Sequence, residues 1–460
     1  MRQPSRLPER LRRAFAEFLS IPSLVIAGFL ILAIGVYWID SSAGPRDDWG
    51  AVKQWLDRYV GDAASATGLL ETIAGGLITV TSITFSILLL AVQQGAAALT
   101  SQVVDQYLRR PANQLYFGFF VGASMFALIT LVLANDAYRP VFGATVAVLL
   151  AGSALLVLVL LIYTTINQTR PATIINAIHD EALLARDRQA DFLSRTAECP
   201  EGLPIGQPVV SDKNGYVTRL DMGHFEKITQ HQFGTSIELR VSLGDYLPCG
   251  DTIAIVRGSG RPTDQIAQEV RWAVDFEEKR DLGSDPAFGV DQLSNIAWTS
   301  ISTAKSNPGA GLIACHALQD LLWRWSTQEK LDMERADASS GIFYKDTVSE
   351  QLFDAFEALV VVASESMQHQ SLGVVMSALA ATFPEMPKRW KDRTEDLLLR
   401  SLASLGDHAP TRILEVRFQE AADALAADGR ENGASKLLAS WARLAATKGE
   451  LHSRGTRAGR

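Results

Sequence analysis

Long uninterrupted runs of apolar residues occupy the first third of the chain, and no comparable run follows residue 167. A transmembrane helix needs about 20 apolar residues to cross a hydrocarbon core of about 30 Å. Four stretches reach that length, namely Ile21 to Ile39, Leu69 to Val92, Asn113 to Leu133 and Val141 to Ile166. The pattern predicts an α-helical integral membrane protein with a four-helix transmembrane domain over residues 21–167.

The first apolar run has a basic flank, but it lacks a small-residue cleavage site and begins with Ile21-Pro22. We therefore interpret it as an uncleaved anchor rather than a signal peptide. No charged side chain lies in the middle of any of the four stretches. Intramembrane acids and bases are the usual carriers of protons and coupling charges, so passive flow is favoured over pumping if anything crosses.

Lysine and arginine in the short flanks predict the orientation, because cytoplasmic flanks are enriched in both. Three flanks carry them: Arg2, Arg6, Arg10, Arg12 and Arg13; then Arg109 and Arg110; then Arg170, Arg186 and Arg188. Interfacial aromatic residues cluster on the opposite side at Trp38, Trp49, Trp55 and Tyr59. We expect a multi-pass protein of the cell inner membrane with both termini cytoplasmic, including a basic N-terminus over residues 1–20.

The second apolar stretch is unusual in composition, because "TIAGGLITVTSITFSILLLAVQQ" (residues 72–94) is uncharged but carries six hydroxyl side chains. At about 100° per residue, its small and polar residues fall within one arc of roughly a third of the helix circumference. The members of this arc are Thr72, Gly75, Gly76, Thr79, Ser82, Ser86 and Gln93, and Ile83 and Leu90 interrupt it. Thr81 and Thr84 lie off the arc, and we expect them to bond back to the carbonyls of Leu77 and Val80.

Two interpretations of this arc stay open. Small residues let helix backbones approach closely and hydroxyls hydrogen-bond across the contact, whereas the same groups can line a water-filled path. Thr72, Thr79, Ser86, Gln93 and Thr100 recur every seven residues, the spacing that keeps one face towards a supercoiling partner or a symmetry axis. No proline follows until Pro111, so we expect the helix to project into the cytoplasm.

After residue 167 the chain is predicted to be a soluble α+β region in four parts. Residues 168–203 form a linker with a helix from Pro171 to Thr196, and a Pro/Gly break follows. The short runs "QPVVS", "GYVTRLD", "TSIELRVSL" and "TIAIVRG" predict a small antiparallel β-barrel over residues 204–258 with a short helix inside it. Residues 262–448 are predicted to be entirely helical, and the basic tail 449–460 is predicted to be disordered.

Candidate chemistry changes this description little. The net charge is −8, and no basic face is concentrated enough for nucleic-acid binding. No Gly-Lys-Ser/Thr phosphate loop, nucleophile elbow or metal-ligand spacing of histidines occurs. Cys199, Cys249 and Cys315 are interpreted as buried free thiols in a reduced compartment. We predict no enzyme activity, no catalytic residues, and no cofactor or metal.

The order of a basic N-terminus, the residue 72–94 span, a "GYV…GD" segment and "DPAFGVDQLSNIAW" resembles a bacterial family described only as predicted membrane proteins of unknown function. The resemblance covers roughly residues 10–325, and its most specific pieces are Thr72 to Gln93 and Asp285 to Ala297. The family's Ser-Pro-Gly-Ile-Asn-Asp-Pro turn corresponds here to Ser302-Thr303-Ala304-Lys305-Ser306-Asn307-Pro308. The acid of that turn is replaced by Asn307, so an activity that depends on it is not expected in this chain. The resemblance implies the topology and no specific activity.

Of three function classes, a membrane enzyme is disfavoured because the sequence shows no nucleophile, acid pair or metal set, and two others are favoured. In the first, the protein is an oligomeric passive ion channel or a conductance-regulating protein, with the arc facing the axis of a homo-oligomer and the cytoplasmic part acting as collar or sensor. In the second, it is a membrane-anchored scaffold or sensor without transport activity, whose second span packs tightly and whose soluble half binds a partner. The lipid bilayer is the one partner common to both, and the cytoplasmic ligand stays open.

Overall fold

The computed structural model describes residues 19–42, 48–60, 63–98, 111–134, 140–168, 170–200, 202–231, 234–258, 264–302, 308–333, 341–366, 368–405 and 411–446. The chain divides into two compact units, residues 1–173 and 174–460. The basic N-terminus before residue 19, Thr100, the turn 303–307 and the tail 449–460 lie outside the described residues.

The first unit is built from five described helices. They are α1 (Ser20–Ser42), α2 (Asp48–Val60), α3 (Ala63–Ala98), α4 (Pro111–Leu133) and α5 (Val141–Gln168). Four of them are long and apolar enough to cross a membrane: α1, α3 over Ala64–Leu90, α4, and α5 over Val141–Asn167. These four agree with the stretches identified in the sequence. Helix α2 is a finding, because its segment was expected only as a loop.

Helix α4 is the most buried of the four spans and packs against α1, α3 and α5. Its glycines allow α1 to come close. A Cβ atom at Gly122 would lie 2.3 Å from the Phe29 ring, and one at Gly118 would lie 3.0 Å from Pro22 Cα. Helix α5 instead exposes many large apolar side chains, including Leu155 and Val159, which is typical of a lipid-facing helix.

A carboxylate connects three helices of the first unit. Asp40, at the end of α1, accepts hydrogen bonds from the backbone N–H groups of Phe142 (3.0 Å) and Gly143 (3.2 Å) through Oδ2. Its Oδ1 lies 3.2 Å from Lys53 Nζ on α2. Because the first N–H groups of a helix have no partner within the helix, Asp40 caps α5 from a distance in sequence.

The second unit begins with α6 (Pro171–Ser194), close to the predicted linker helix. Its seven described strands are β1 (Gln207–Val210), β2 (Gly215–Leu220), β3 (Ser236–Leu239), β4 (Tyr246–Leu247), β5 (Thr252–Arg257), β6 (Val274–Glu277) and β7 (Ile342–Phe343). They form a four-stranded sheet in the order β1-β5-β3-β7 and a three-stranded sheet in the order β4-β2-β6. Helices α7 (Met222–His231) and α8 (Asp264–Trp272) pack on them around a shared apolar core.

The predicted closed antiparallel barrel over residues 204–258 is therefore wrong. Among the described residues the strands form two open sheets, because β2 pairs with β4 and β6 while β1 pairs with β5. One pairing, β3 with β7, is parallel. Two strands also come from the region 262–448 that was expected to be all helical. In β6, Val274 is buried and Asp275 is exposed, and this alternation follows the period of a strand rather than a helix.

Seven further helices complete the described part of the second unit. They are α9 (Pro286–Ile301), α10 (Pro308–Met333), α11 (Val348–Glu365), α12 (His369–Thr382), α13 (Lys388–Leu405), α14 (Arg412–Ala427) and α15 (Glu431–Ala446). Asp285 caps α9, and Pro286 occupies the first helical position, where its missing N–H is not needed. Phe353, Phe356, Phe383 and Phe418 form the centre of the helical core.

Candidate functional site

The structure places all seven residues of the predicted arc on one exposed side of α3. We call this set the hydroxyl face: Thr72, Gly75, Gly76, Thr79, Ser82, Ser86 and Gln93. A Cβ atom added at Gly75 or Gly76 would meet nothing within 4 Å. Ser82 and Ser86, together with Ile83, Ile87 and Leu90, line an open depression of about 290 Å³. Among the described residues, the first unit thus leaves this face uncovered.

The opposite side of α3 carries the contacts with the other helices of the first unit. Ala66, Leu70, Ala74 and Leu77 are buried there, and α4 and α5 are the helices that pack against α3. At 3.6 residues per turn, the centres of the buried side and of the hydroxyl face are roughly 170° apart. Helix α3 therefore has two distinct sides: one packs within its own unit, and the other is exposed.

Each hydroxyl on this face donates a hydrogen bond to its own helix, four residues back. Thr72 Oγ1 donates to the Gly68 carbonyl (2.8 Å), Thr79 Oγ1 to the Gly75 carbonyl (2.9 Å) and Ser86 Oγ to the Ser82 carbonyl (3.0 Å). Such a bond satisfies the hydroxyl proton in an apolar medium. The oxygen lone pairs remain available to accept a hydrogen bond or to contact a cation.

The two threonines off the arc behave differently from each other. Thr81 Oγ1 donates to the Leu77 carbonyl (2.7 Å) and lies 3.2 Å from Ser124 Oγ on α4, which confirms its expected back-bond. Thr84 is buried, and its Oγ1 has no hydrogen-bond partner among the described residues. The expected bond from Thr84 to the Val80 carbonyl is therefore wrong.

A second candidate site lies in the second unit, in a cleft of about 450 Å³ that we call the Arg280 cleft. The loop after β3 and helices α9 and α11 form its walls. The lining residues are Gly244, Asp245, Tyr246, Arg280, Asp291, Ser294, Gln351, Asp354, Ala355 and Ala358.

Arg280 is held rigidly at the edge of this cleft. Its Nε donates to Asp285 Oδ2 (2.7 Å), its Nη1 donates to Asp291 Oδ2 (2.5 Å), and the guanidinium lies over the Phe288 ring, 4.6 Å from the centroid. The other oxygen of Asp285 accepts from the Phe288 N–H (3.1 Å) and caps α9. Burial raises the pKa of Asp285 even though Arg280 and the Phe288 N–H favour the charged form.

Asp245 is the second carboxylate shaped by burial in this cleft. Its Oδ2 accepts a hydrogen bond from the Ser242 N–H (2.6 Å). Burial raises the pKa of Asp245, and this effect outweighs the opposing hydrogen bond and the charge of Arg280. Gly244 beside it has φ +87°, and a Cβ atom there would lie 2.0 Å from Asp285 Oδ2. Only glycine fits here, against the Asp285 carboxylate and the Arg280 guanidinium.

The sequence patterns did not indicate this cleft, although part of its signal is visible in them. Gly-Asp steps such as Gly244-Asp245 are typical of turns, and Asp285-Pro286 is typical of a helix start; the structure has a turn and the start of α9 at these positions. Asp291 and Ser294 are three residues apart, so they lie on the same face of α9. What the sequence alone did not indicate is that this face meets the Gly244-Asp245 loop. Among the described residues, no group of three or more His, Cys, Asp or Glu side chains could hold a metal ion.

Comparison with known proteins agrees with the resemblance stated above. An uncharacterized protein of Mycobacterium bovis and one of Mycobacterium tuberculosis are each 22% identical to the chain over 273 residues, which is 56% of this chain and 52% of theirs. The chain thus spans about half the length of these curated relatives. No solved structure matches it. The family described as "Predicted membrane protein (DUF2254)" matches residues 16–371, and with four helices of spanning length and composition the chain belongs to that family.

Proposed function

We propose that the protein is a homo-oligomeric passive ion channel of the membrane in which the hydroxyl faces of several α3 helices surround a common axis. The observation that carries the proposal is the exposure of this face, opposite to the side on which α3 packs with its own unit. Apart from Ile83 and Leu90, which interrupt it, this face presents glycines and hydroxyls. Such residues give lipid chains little to pack against. The same face suits close helix contact or a hydrated path.

The spacing of the face supports an axial arrangement. Thr72, Thr79, Ser86 and Gln93 recur every seven residues and are all exposed, so successive turns of several copies could present the same side to one axis. The three hydroxyl protons among them are already bonded within the helix, which leaves oxygen lone pairs available to accept. Oxygen-lined paths of this kind favour cations over anions.

The orientation belongs to the proposal as well. We propose that the protein lies in the cell inner membrane with both termini in the cytoplasm. The support is the arginine-rich flanks before α1, between α3 and α4, and after α5. The second unit is then cytoplasmic.

A membrane-anchored sensor without transport activity is the second candidate, and the Arg280 cleft is the observation that favours it. In that case the hydroxyl face only packs copies together, and the second unit binds a ligand or partner. No catalytic role is assigned to either site.

The experiment compares Thr79→Leu and Ser86→Leu with the control Val159→Leu, which changes an exposed apolar position of α5. Each leucine removes a hydroxyl whose bond is internal to α3 and leaves the backbone ladder intact, so the monomer is expected to fold. Oligomeric state is measured in detergent by light scattering, and ion flux is measured in liposomes. A channel predicts an oligomer that keeps its size and loses most of its flux in both variants, while the control conducts.

The two candidates give different results in this experiment. Loss of assembly in Thr79→Leu and Ser86→Leu, with no flux in the wild type, supports the packing face of a sensor. A monomeric wild type that leaves ion gradients intact contradicts the channel.

A further inference from the structure

We propose that the Arg280 cleft binds a small organic cation through an ammonium or guanidinium group. This inference goes beyond the proposed channel and does not depend on it, because every lining residue belongs to the second unit. It rests on the hydrogen-bonding capacity of the lining, on the state of Arg280, and on the size of the cleft.

The lining includes several oxygens that accept no hydrogen bond from the described part of the protein. Among the described residues, four oxygens of the lining take no hydrogen bond: Asp245 Oδ1, Asp291 Oδ1, Ser294 Oγ and Gln351 Oε1. A ligand rich in N–H donors satisfies such a set, and bonds from charged donors to carboxylates are the stronger kind. An anion would instead place its negative charge beside the lining carboxylates Asp245, Asp291 and Asp354.

Arg280 does not turn the cleft into an anion site. Asp285 and Asp291 engage Nε and Nη1 at 2.7 and 2.5 Å, and Nη2 makes no hydrogen bond among the described residues. The cleft is lined by Arg280 and by three carboxylates, Asp245, Asp291 and Asp354. Asp354 pairs with Arg393, which lies outside the lining. The single lining guanidinium is thus outnumbered by carboxylates, and its role is to hold two of the surrounding acids in place.

The size and the apolar part of the lining indicate an organic ligand rather than a bare metal ion. The volume of about 450 Å³ lies within the range of small-molecule sites. Ala355 and Ala358 provide an apolar surface for a methylene chain, and the Tyr246 ring, packed edge to face on Tyr216, is an aromatic face for a cation. The described acids do not form a metal-ligand set.

The test uses the full-length protein in a non-ionic detergent and titrates it with spermidine, a flexible organic cation, by isothermal calorimetry. We expect saturable binding at one site per chain. Ala358→Leu fills the cleft from an exposed position on α11 and leaves the Arg280 contacts in place. Asp291→Asn removes a charge from the lining. Each variant is expected to weaken binding at least about tenfold, equivalent to about 1.4 kcal/mol.

Asp423→Asn is the matched control, because Asp423 is an exposed carboxylate on α14 whose side chain accepts only from Gln419 among the described residues. It is expected to bind spermidine like the wild type. If Asp291→Asn unfolds, as judged by its thermal transition, Ala358→Leu alone decides the test. Heat that does not saturate, equal weakening by Asp423→Asn, unchanged binding by Ala358→Leu, or equal affinity for Mg²⁺ would each overturn the proposal.

Discussion

At the residue scale, the Arg280 cleft contains a carboxylate, Asp245, whose charged form destabilises the folded state. Asp245 is partly buried, and its pKa is raised because desolvation outweighs the Ser242 N–H and the charge of Arg280. A structural carboxylate usually has the opposite shift, since it is kept where hydrogen bonds favour its charge. Carboxylates whose pKa is raised by burial are common in binding sites.

This leads to a prediction for Asp245→Asn. Below the ordinary carboxyl pKa of 3.8, the side chain is protonated in the folded and unfolded states, so the wild type carries no penalty. As the pH rises through the raised folded pKa, the folded wild type must bury a charge and loses stability relative to the unfolded chain. The variant avoids this loss. Its free energy of unfolding is expected to exceed that of the wild type at pH 7 by up to about 1 kcal/mol, the scale of one hydrogen bond.

The measurement is the difference in unfolding free energy between Asp245→Asn and the wild type as a function of pH. The difference should shrink as the pH falls from 7 towards 4. Asp423→Asn, at an exposed position, should show no such trend. A variant that is less stable than the wild type at pH 7 would mean that the Ser242 contact dominates over burial.

Residue-scale patterns predicted the hydroxyl face well but not its surroundings. The seven members of the arc follow from helical geometry alone, and the structure places them all on one exposed side. The sequence did not indicate which helices cover α3, because tertiary packing decides that. Thr84 illustrates the limit: local geometry predicted a back-bond, yet its buried hydroxyl has no partner among the described residues.

At the element scale, Asp40 couples three helices of the first unit. Asp40 lies in the last turn of α1. Its carboxylate caps α5 at the N–H groups of Phe142 and Gly143 and pairs with Lys53 on α2. Each of these groups would otherwise need another partner, because buried N–H groups and charges are costly when unpaired. The contact therefore fixes where α5 begins relative to α1.

Asp40→Ala is expected to lower the free energy of unfolding by about 1–2 kcal/mol, the typical effect of losing an N-cap. The loss has a local signature as well. Hydrogen exchange at the Phe142 and Gly143 amides should speed up, because their acceptor is removed. Ser41→Ala is the control, since the Ser41 hydroxyl is exposed and bonds only to the Trp38 carbonyl among the described residues. Equal stability of the two variants would contradict the capping role.

Elements with a long apolar pattern were predictable, and short strands were not. Each of the four spans is an apolar run long enough to cross a membrane, so hydropathy alone identified them. The strands have two to six residues, and so few positions carry too little periodicity to decide pairing. The sequence order favoured one antiparallel barrel, whereas β6 and β7 arrive from later in the chain and divide the strands between two sheets.

At the scale of the whole molecule, the chain consists of a membrane unit and a larger second unit that each hold one candidate site. In the proposed channel the hydroxyl face requires assembly, because a single copy leaves it exposed. The Arg280 cleft is complete within one chain. Defects at the two sites should therefore separate: variants of α3 change oligomeric state or flux, and variants of the cleft change ligand binding.

The topology can be tested with the native cysteines, because all three lie in the second unit and differ in burial. The expectation of three buried thiols is wrong for Cys199 and Cys249, which are exposed, and correct for Cys315, which is buried. Burial raises the pKa of the Cys315 thiol to about 12, so its reactive thiolate form is scarce at neutral pH.

A membrane-impermeant maleimide applied to intact cells should label none of the three cysteines if the second unit is cytoplasmic. After permeabilisation it should label Cys199 and Cys249, and Cys315 should follow only in denaturant. Variants with Cys199→Ser and Cys249→Ser identify the labelled sites by mass spectrometry, and labelling of Cys199 in intact cells would reverse the proposed orientation.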